Sequence, residues 1–347
     1  MSVQGAFGVS VRLVRGACTT AALVGAMIAC TGAESNRTVN PAPTDDSRIA
    51  PTSDGRIAPT SDSGLAPASE SQLAPTMAFD SKRAFEHLRK QVSFGPRPSG
   101  TPAIVETRRY IVDQLKAAGI ESREQMFIGM TPLGEVSMVN VIATIPGKRS
   151  ERIVLASHFD TKLYREFKFV GANDGASSTA ALLELGRVLK QRPNEFTIEL
   201  LFLDGEEARL EWRGNDNTYG SRHYVQAAQK DKSLAGVKAL VLLDMIGDRD
   251  LRVRRDANST PWLVDIVWAA AAKAGHSDTF SNELTTIEDD HLPFLRAGVP
   301  SVDIIDLDNP TWHTPQDTLE FVSARSLQTV GDVVLAALPD IEKRLAK

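Results

Sequence analysis

The sequence predicts a single three-layer α/β domain, in which a mostly parallel, mixed and twisted β-sheet lies between layers of helices. Apolar runs such as 153–157 and 196–203 alternate with longer amphipathic segments between about residue 78 and residue 347. Uninterrupted apolar runs are typical of strands buried on both faces, and their alternation with helices indicates parallel pairing through helical crossovers. No second apolar core follows, so one domain is expected.

Each element is predicted from the spacing of its apolar residues. Residues 81–92 and 102–118 have the spacing of amphipathic helices, and a further helix begins after Asn173-Asp174-Gly175. In chain order, the remaining segments are strands at 126–128, 137–145 and 153–157, a helix at 176–191, a strand at 196–203, a helix at 221–229, a strand at 237–245, a helix at 261–274, a strand at 299–305 and a helix at 323–345.

Composition excludes several classes of function. The chain of 347 residues has a formal net charge of −5 and no basic stripe, which argues against nucleic-acid binding. Its 2 cysteines, Cys18 and Cys30, both lie near the amino terminus. The domain that follows therefore has no thiol nucleophile, no internal disulfide and no cysteine-bound zinc.

Residues 1–29 have the features of a secretory signal peptide. Arg12 and Arg15 precede a stretch of small and apolar residues that is too short and too weakly apolar for a stable membrane span. Met27-Ile28-Ala29-Cys30 is similar to a bacterial lipobox, which predicts lipidation of Cys30 and a location in the cell envelope, in the periplasm or at the outer membrane. Cleavage without lipidation is the alternative.

Residues 30–77 are predicted to be a disordered linker. Ser, Thr and Pro dominate this segment, and a loose Ala-Pro repeat supplies only one apolar residue per unit, which cannot form a core. A coil of this length spans on the order of 40 Å. The linker would hold residues 78–347, the predicted catalytic domain, away from a membrane that the chain contacts only through its lipid.

The adjacent carboxylates Glu206 and Glu207 follow the apolar run 198–205 directly. Two other predicted strands end in the same way, one at His158 and Asp160 and the other at Asp244. The ends of parallel strands meet at one edge of a sheet, where α/β proteins have their sites. Several strands that each end in a metal-type ligand indicate a metallohydrolase-like centre.

Several polar residues at strand ends or in adjoining loops are candidates for this centre. They are His158, Asp160, Asp174, Glu206, Glu207, Asp244, Asp289, Asp290, His291 and His313. Catalytic zinc uses two carboxylates and one imidazole with an open position, and Asp174, Glu207 and His313 fit that set. Glu206 would then be a free carboxylate that moves protons. Singly, Asp174 has an ordinary explanation as a helix cap and His313 as a turn residue.

Five stretches, in the same order, resemble animal-type glutaminyl-peptide cyclotransferases, which share their fold with the co-catalytic zinc aminopeptidases. They are Phe169-Val170-Gly171-Ala172-Asn173-Asp174, Asp204-Gly205-Glu206-Glu207-Ala208, Tyr219-Gly220-Ser221-Arg222-His223, Ile287-Glu288-Asp289-Asp290-His291-Leu292-Pro293-Phe294-Leu295 and Trp312-His313-Thr314. The resemblance implies one zinc held by Asp174, Glu207 and His313, and Glu206 as general base and acid.

The same resemblance implies roles for residues around the zinc. Asp244 and Asp289 would be hydrogen-bond partners of Glu206 and of the substrate amine, and Trp212 and Trp312 would line the pocket. We also expect Phe294 as a pocket wall. The implied reaction cyclises the amino-terminal glutamine of peptides or proteins to pyroglutamate with release of ammonia, in a monomeric enzyme that acts on peptide amino termini.

Two alternatives remain open. His158, Asp160 and Asp244 could hold a second metal, and the chain would then be a di-zinc aminopeptidase. Asp303 stands where the animal cyclases have a histidine, and the cysteine pair of many animal members is missing. A domain without activity, used only for binding, is the third class. The complete ligand set with Glu206 argues against that class.

Overall fold

A mixed β-sheet of six strands forms the centre of the computed structural model, which describes residues 78–347. Its strands are β1 (Glu121–Thr131), β2 (Gly134–Ile145), β3 (Arg149–His158), β4 (Phe196–Leu203), β5 (Val237–Asp244) and β8 (Ser301–Ile305). A separate pair consists of β6 (Val253–Asp256) and β7 (Phe280–Thr285). The predicted signal peptide, Cys30 and the linker lie outside the described residues.

Seven helices cover the sheet within the described range. They are α1 (Ser81–Ser93), α2 (Pro102–Ala117), α3 (Ala176–Lys190), α4 (Tyr219–Lys230), α5 (Pro261–Lys273), α6 (His291–Arg296) and α7 (Ala324–Leu345). A 3-10 turn at Ser233–Gly236 lies between α4 and β5. Among residues 78–347, no helix is both long enough and apolar enough to cross a membrane.

Strand order positions the site. The sheet runs β1-β2-β4-β3-β5-β8, with β2 antiparallel to both of its neighbours and β4, β3, β5 and β8 mutually parallel. The carboxyl ends of the four parallel strands therefore lie along one edge. The predicted α/β fold with a mostly parallel, mixed sheet is confirmed.

Two apolar cores on opposite faces of the sheet make the domain three-layered. Along β3, Ile153 and Leu155 belong to the core under α1, α2, α3, α5 and α7, whereas Val154 and Ala156 belong to the core under α4 and α6. Successive side chains of a strand point to opposite faces, so a central strand must be apolar at every position. That requirement explains the continuous apolar runs in the sequence.

Elements that lack such a run were missed or predicted too short. β1 extends over Glu121–Thr131 rather than 126–128, because it lies at the edge of the sheet and only its inward residues Phe127 and Gly129 are buried. β6 is mostly charged and pairs only with β7. α6 contains Pro293 in its first turn, a position that tolerates proline although the residue is typical of loops.

A histidine of α1 that contacts α2 makes stability depend on pH. Burial, with a smaller contribution from the charge of Arg83, lowers the pKa of His87 from 6.5 to about 4. The unfolded chain therefore takes up a proton near pH 6.5, whereas the folded chain does so only near pH 4. The stability that comes from keeping His87 neutral is complete above pH 6.5. As the pH falls from 6.5 to 4, the free energy of unfolding decreases by up to about 3 kcal/mol.

The variant His87→Gln tests this dependence. Nδ1 of His87 lies 2.7 Å from the hydroxyl of Tyr110, and glutamine keeps a polar partner there without titrating. Between pH 7 and pH 4, we expect the free energy of unfolding in urea to fall less steeply for His87→Gln than for the unaltered protein. Parallel pH curves for the two proteins would contradict the assignment.

Candidate metal centre

A cavity of about 440 Å³ opens at the carboxyl edge of the parallel strands. Its polar lining residues lie at the ends of four different strands or in the loops that follow them. They include Asp174 after β3, Glu206 and Glu207 after β4, Asp244 at the end of β5 and His313 after β8. Apolar side chains make up most of the remaining wall, among them Met245, Ile287, Ile305 and Leu307. The site is therefore a group of buried carboxylates and one histidine within a mostly apolar cavity.

Asp174, Glu207 and His313 converge on one point of this cavity. Each offers one ligand atom, and the three atoms lie within 4.8 Å of one another. Nε2 of His313 is 3.1 Å from Oε1 of Glu207 and 3.3 Å from Oδ2 of Asp174. Two ligands at 2.0–2.2 Å from one tetrahedral zinc are separated by roughly 3.3 Å, so these spacings suit a shared ion.

Unpartnered polar atoms at the same point also fit a cation. Oδ2 of Asp174 and Oε2 of Glu207 are buried and accept no hydrogen bond. Burial lowers the pKa of His313, but its close contacts with the carboxylates of Asp174 and Glu207 outweigh that effect and raise the pKa to about 10. The two carboxylates therefore favour positive charge here, and a metal ion meets that demand in place of a proton.

Buried polar contacts hold the loop that carries Asp174. The carboxylate of Asp317 accepts hydrogen bonds from the backbone amides of Asn173 (2.7 Å) and Asp174 (3.1 Å). The cap of α3 is Gly175, which has φ +83° and lies so close to the Asp160 carbonyl that a Cβ would be 2.7 Å from it. Asp174 is thus free of the capping role that its position in the sequence suggested.

His313 has an unusual backbone conformation. Its φ is +56°, in the left-handed region that residues other than glycine adopt at a cost of order 1 kcal/mol. The ring stacks on Trp312 at 4.4 Å and meets Phe169 edge to face at 5.7 Å. These aromatic neighbours hold the imidazole toward the two carboxylates and compensate for the backbone strain.

One carboxylate holds the backbone of the Glu206-Glu207 pair. Asp160 accepts hydrogen bonds from the amides of Glu206 (3.1 Å) and Glu207 (3.3 Å). The side chain of Glu207 joins Asp174 and His313, whereas that of Glu206 lines the cavity beside this group without belonging to it. Burial raises the pKa of Glu206 well above its ordinary value; His158 acts against this shift and Glu207 adds to it.

A second group adjoins the first through Asp174. His158, Asp174 and Asp244 also offer ligand atoms within 4.8 Å of one another. Nε2 of His158 is 3.0 Å from Asp244 and 3.2 Å from Asp174. Both groups are thus arranged to hold a metal ion, and they share Asp174.

The acidic stretch before α6 divides between cavity and core. Asp289 lines the cavity, and its pKa is raised to about 7, first by burial and then by the charge of Asp244. Asp290 turns away and accepts a hydrogen bond from Ser221, and the fully buried His291 lies 3.1 Å from Asp256. Of the candidates in this stretch, Asp289 alone reaches the cavity.

Asp303 lies behind Asp289. It is fully buried, and neither of its carboxylate oxygens has a hydrogen-bond partner. Burial raises the pKa of Asp303 well above its ordinary value, and the charge of Asp289 raises it further. A protonated Asp303 can donate a hydrogen bond to Asp289.

The aromatic walls are partly as predicted. Trp212 and Trp312 both line the cavity and remain 36% and 43% exposed. Phe294 does not line it: this residue is fully buried in the core under α4 and α6 and stacks on Tyr224 at 5.4 Å. The expectation of Phe294 as a pocket wall was wrong, because the helical turn of α6 points this side chain toward the sheet.

Three positions that line or support the site were missed in the sequence, namely Asp317, described above, Lys162 and Asp216. Lys162 lines the cavity with Nζ 3.8 Å from Oε2 of Glu207, and it lies two residues after Asp160, a spacing that could have drawn attention to it. Asp216 accepts hydrogen bonds from three backbone amides and the Tyr219 hydroxyl, and so holds the loop that carries Trp212. The amides belong to Arg209, Leu210 and Glu211.

Comparison with known proteins connects the site to two activities. The model of Peptidase family M28 matches residues 140–338, which include all the residues of both metal-type groups. The glutaminyl-peptide cyclotransferase of Drosophila melanogaster is 31% identical over 277 residues, 72% of this chain and 78% of that protein.

Solved structures show the same similarity. Glutaminyl cyclase of an Acidobacteriales bacterium superposes with a TM-score of 0.75 at 41% identity, covering 81% of this chain and 100% of that chain. A leucine aminopeptidase precursor from Bacteroides thetaiotaomicron VPI-5482 superposes with a TM-score of 0.70 at 30% identity, covering 75% of this chain and 97% of that chain.

Proposed function

The chain belongs to peptidase family M28, and we propose that it is a glutaminyl-peptide cyclotransferase, which converts an amino-terminal glutamine to pyroglutamate and releases ammonia. The observation that carries the proposal is the position of Glu206. Its carboxylate stands beside the Asp174–Glu207–His313 group, outside it, in a cavity that Trp212 and Trp312 wall. A proton carrier next to a cation site is the pair that this reaction requires.

Asp174, Glu207 and His313 would hold one zinc ion. When bound, zinc would polarise the γ-carbonyl of the substrate glutamine and stabilise the negative charge that develops on its oxygen. Two carboxylates and one imidazole leave an open position for that oxygen. Lys162 donates a hydrogen bond to the Ala208 carbonyl and lies near Glu207, so its positive charge supports the Glu207 carboxylate.

Glu206 moves the proton in this proposal. The α-amine nitrogen forms a bond to the carbonyl carbon of the side-chain amide, Cδ, while the bond from Cδ to the side-chain nitrogen breaks. Glu206 accepts a proton from the amine and returns it to the departing nitrogen, which leaves as ammonia. Asp289, with Asp244 beside it, orients the amine, and its acidic partner Asp303 supplies a hydrogen-bond donor behind it.

The walls of the cavity have two tasks. Cyclisation needs the glutamine side chain folded back on its own amine, so that the two reacting atoms meet without a second reactant. Trp212, Trp312 and Ile305 are large enough to hold it in that shape and to keep out the water that would compete as a nucleophile. Both tryptophans are partly exposed, which is typical of residues that only a bound ligand covers.

One observation favours a second candidate, a di-zinc aminopeptidase. His158, Asp174 and Asp244 lie within 4.8 Å of one another, and the chain is 30% identical to a leucine aminopeptidase precursor. In that enzyme class, Glu206 would activate a water molecule against the first peptide bond. The higher identity of 41% to a glutaminyl cyclase ranks the cyclase first.

A substrate comparison tests the choice. We expect a peptide that begins with glutamine to lose ammonia readily, and leucine anilide to be nearly inert, because the cavity suits attack by an amine on the side chain of the same residue. Coupled detection of ammonia and of free aniline measures both reactions. Release of aniline without ammonia would reject the cyclase in favour of the peptidase.

The amino-terminal region has the sequence features of an exported lipoprotein. We propose cleavage before Cys30, lipidation of Cys30 and attachment of a monomer to a bacterial cell-envelope membrane through residues 30–77. The mass of the mature amino-terminal peptide would reveal the lipid. Its substrates would then be the amino termini of exported peptides and proteins.

A further inference from the structure

We infer that a groove beside the catalytic cavity binds the residues that follow the substrate's amino-terminal glutamine, and that this groove prefers acidic over basic side chains. The inference rests on the proposed function. The groove lies between the loop 162–166, the segment 209–210 and Leu133 at the β1–β2 turn, and has a volume of about 380 Å³. We call it the exit groove.

The exit groove adjoins the cavity. Lys162 and Leu210 line both spaces, so a chain whose first residue occupies the cavity would pass these two residues to enter the groove. A second opening on the other side shares Trp212, Glu288 and Asp289 with the cavity, but its volume is only about 70 Å³. That space accommodates a few water molecules, whereas the exit groove is large enough for several residues of an extended chain.

Apolar side chains form part of the exit groove. Leu133 and Leu210 are 47% and 59% exposed, so both offer apolar surface to a ligand. The ring of Tyr164 stacks on Phe167 at 4.3 Å and meets Phe169 edge to face at 5.6 Å, which holds it in place between cavity and groove. These side chains would cover the backbone and apolar side chains of a bound peptide.

The charges of the exit groove determine its preference. Its cations are Lys162, Arg165 and Arg209, and its acid is Glu166. Lys162 lies 3.8 Å from Glu207 and is thereby largely neutralised. Arg209 donates to the Ser99 carbonyl, but its Nε is buried without a partner.

Arg165 is the cation best placed to meet a substrate. It is exposed, and within the described part of the chain no carboxylate lies within ion-pair distance of its guanidinium. Glu166 accepts a hydrogen bond from the Arg165 backbone amide, which keeps that carboxylate near the loop. The groove thus has an excess of positive charge, so a glutamate or aspartate a few residues after the glutamine gains attraction and a lysine meets repulsion.

Peptide affinity tests the inference without turnover. The peptides are Gln-Glu-Leu-Glu-amide and Gln-Lys-Leu-Lys-amide, titrated by calorimetry against the zinc-loaded Glu206→Gln protein. We expect the acidic peptide to bind about 5-fold more tightly at low salt, the size of an exposed ion pair, with the difference vanishing at about 0.5 M salt. Equal affinities, or tighter binding of the basic peptide, would overturn the inference.

Two charge reversals locate the site. Adding Arg165→Glu should invert the preference, whereas Arg296→Glu, the same change at the smaller opening, should leave it intact. Inversion by Arg296→Glu alone would show that the peptide leaves through the other side. Ammonia release from glutamine amide, which has no following residues, is measured with the unaltered protein and reports separately on the proposed function.

Discussion

Replacement of Glu206 by glutamine is expected to lower turnover of a glutaminyl peptide about 1,000-fold or more while zinc stays bound. Glutamine has nearly the same volume but cannot accept a proton from the α-amine. Glu206 lies outside both groups of ligand atoms, so its replacement removes no ligand. Ammonia release and metal analysis of the same purified sample measure the two effects.

The exposed carboxylate Glu135 in β2 offers a matched control. Glu135→Gln makes the same chemical change at a residue that does not line the cavity, and its turnover should equal that of the unaltered protein. Normal turnover of Glu206→Gln would refute the proton-carrier role. Loss of zinc from that variant would instead place Glu206 among the ligands.

Replacement of His313 by alanine is expected to weaken zinc binding at least about 100-fold. The imidazole is the one neutral donor of the Asp174–Glu207–His313 group, and without it two carboxylates face each other with no nitrogen ligand. Competition with a chelator of known affinity measures the zinc dissociation constant, and metal analysis after dialysis measures the stoichiometry. Neither readout depends on activity.

His223→Ala is the appropriate comparison for this variant. That imidazole stacks on Phe127 at 4.4 Å beside β1, outside the cavity, and its removal should leave the zinc dissociation constant unaltered. Undiminished zinc in His313→Ala would remove His313 from the ligand set. A content of two zinc ions in the unaltered protein would support the second group, His158, Asp174 and Asp244, as a further site.

Most of the fold could be predicted because its strands are buried on both faces. β4 was predicted with the bounds that the structure has, 196–203, since every residue in it is buried. β1, β6 and β7 were shortened or missed because strands at an edge alternate in exposure or carry charge, and then they resemble loops. Local sequence reports burial well and strand pairing poorly.

The site divides in a similar way. Glu206 and Glu207 are adjacent in the chain and follow a buried strand, so their delivery to one edge of the sheet could be expected. Asp317 and Asp216 were not found, since each acts through backbone amides that it reaches only after folding. Phe294 was misplaced because its motif could not indicate which side of a six-residue helix faces the cavity.

By itself, the sequence determined the order of buried strands and helices and the presence of a carboxylate pair at one strand end, because both depend on the spacing of neighbouring residues. The tertiary structure alone decided that Asp174, Glu207 and His313 come within 4.8 Å of one another. It also decided that Lys162 and Leu210 line both the cavity and the exit groove. Such distances depend on how whole layers pack, and packing joins residues that are remote along the chain.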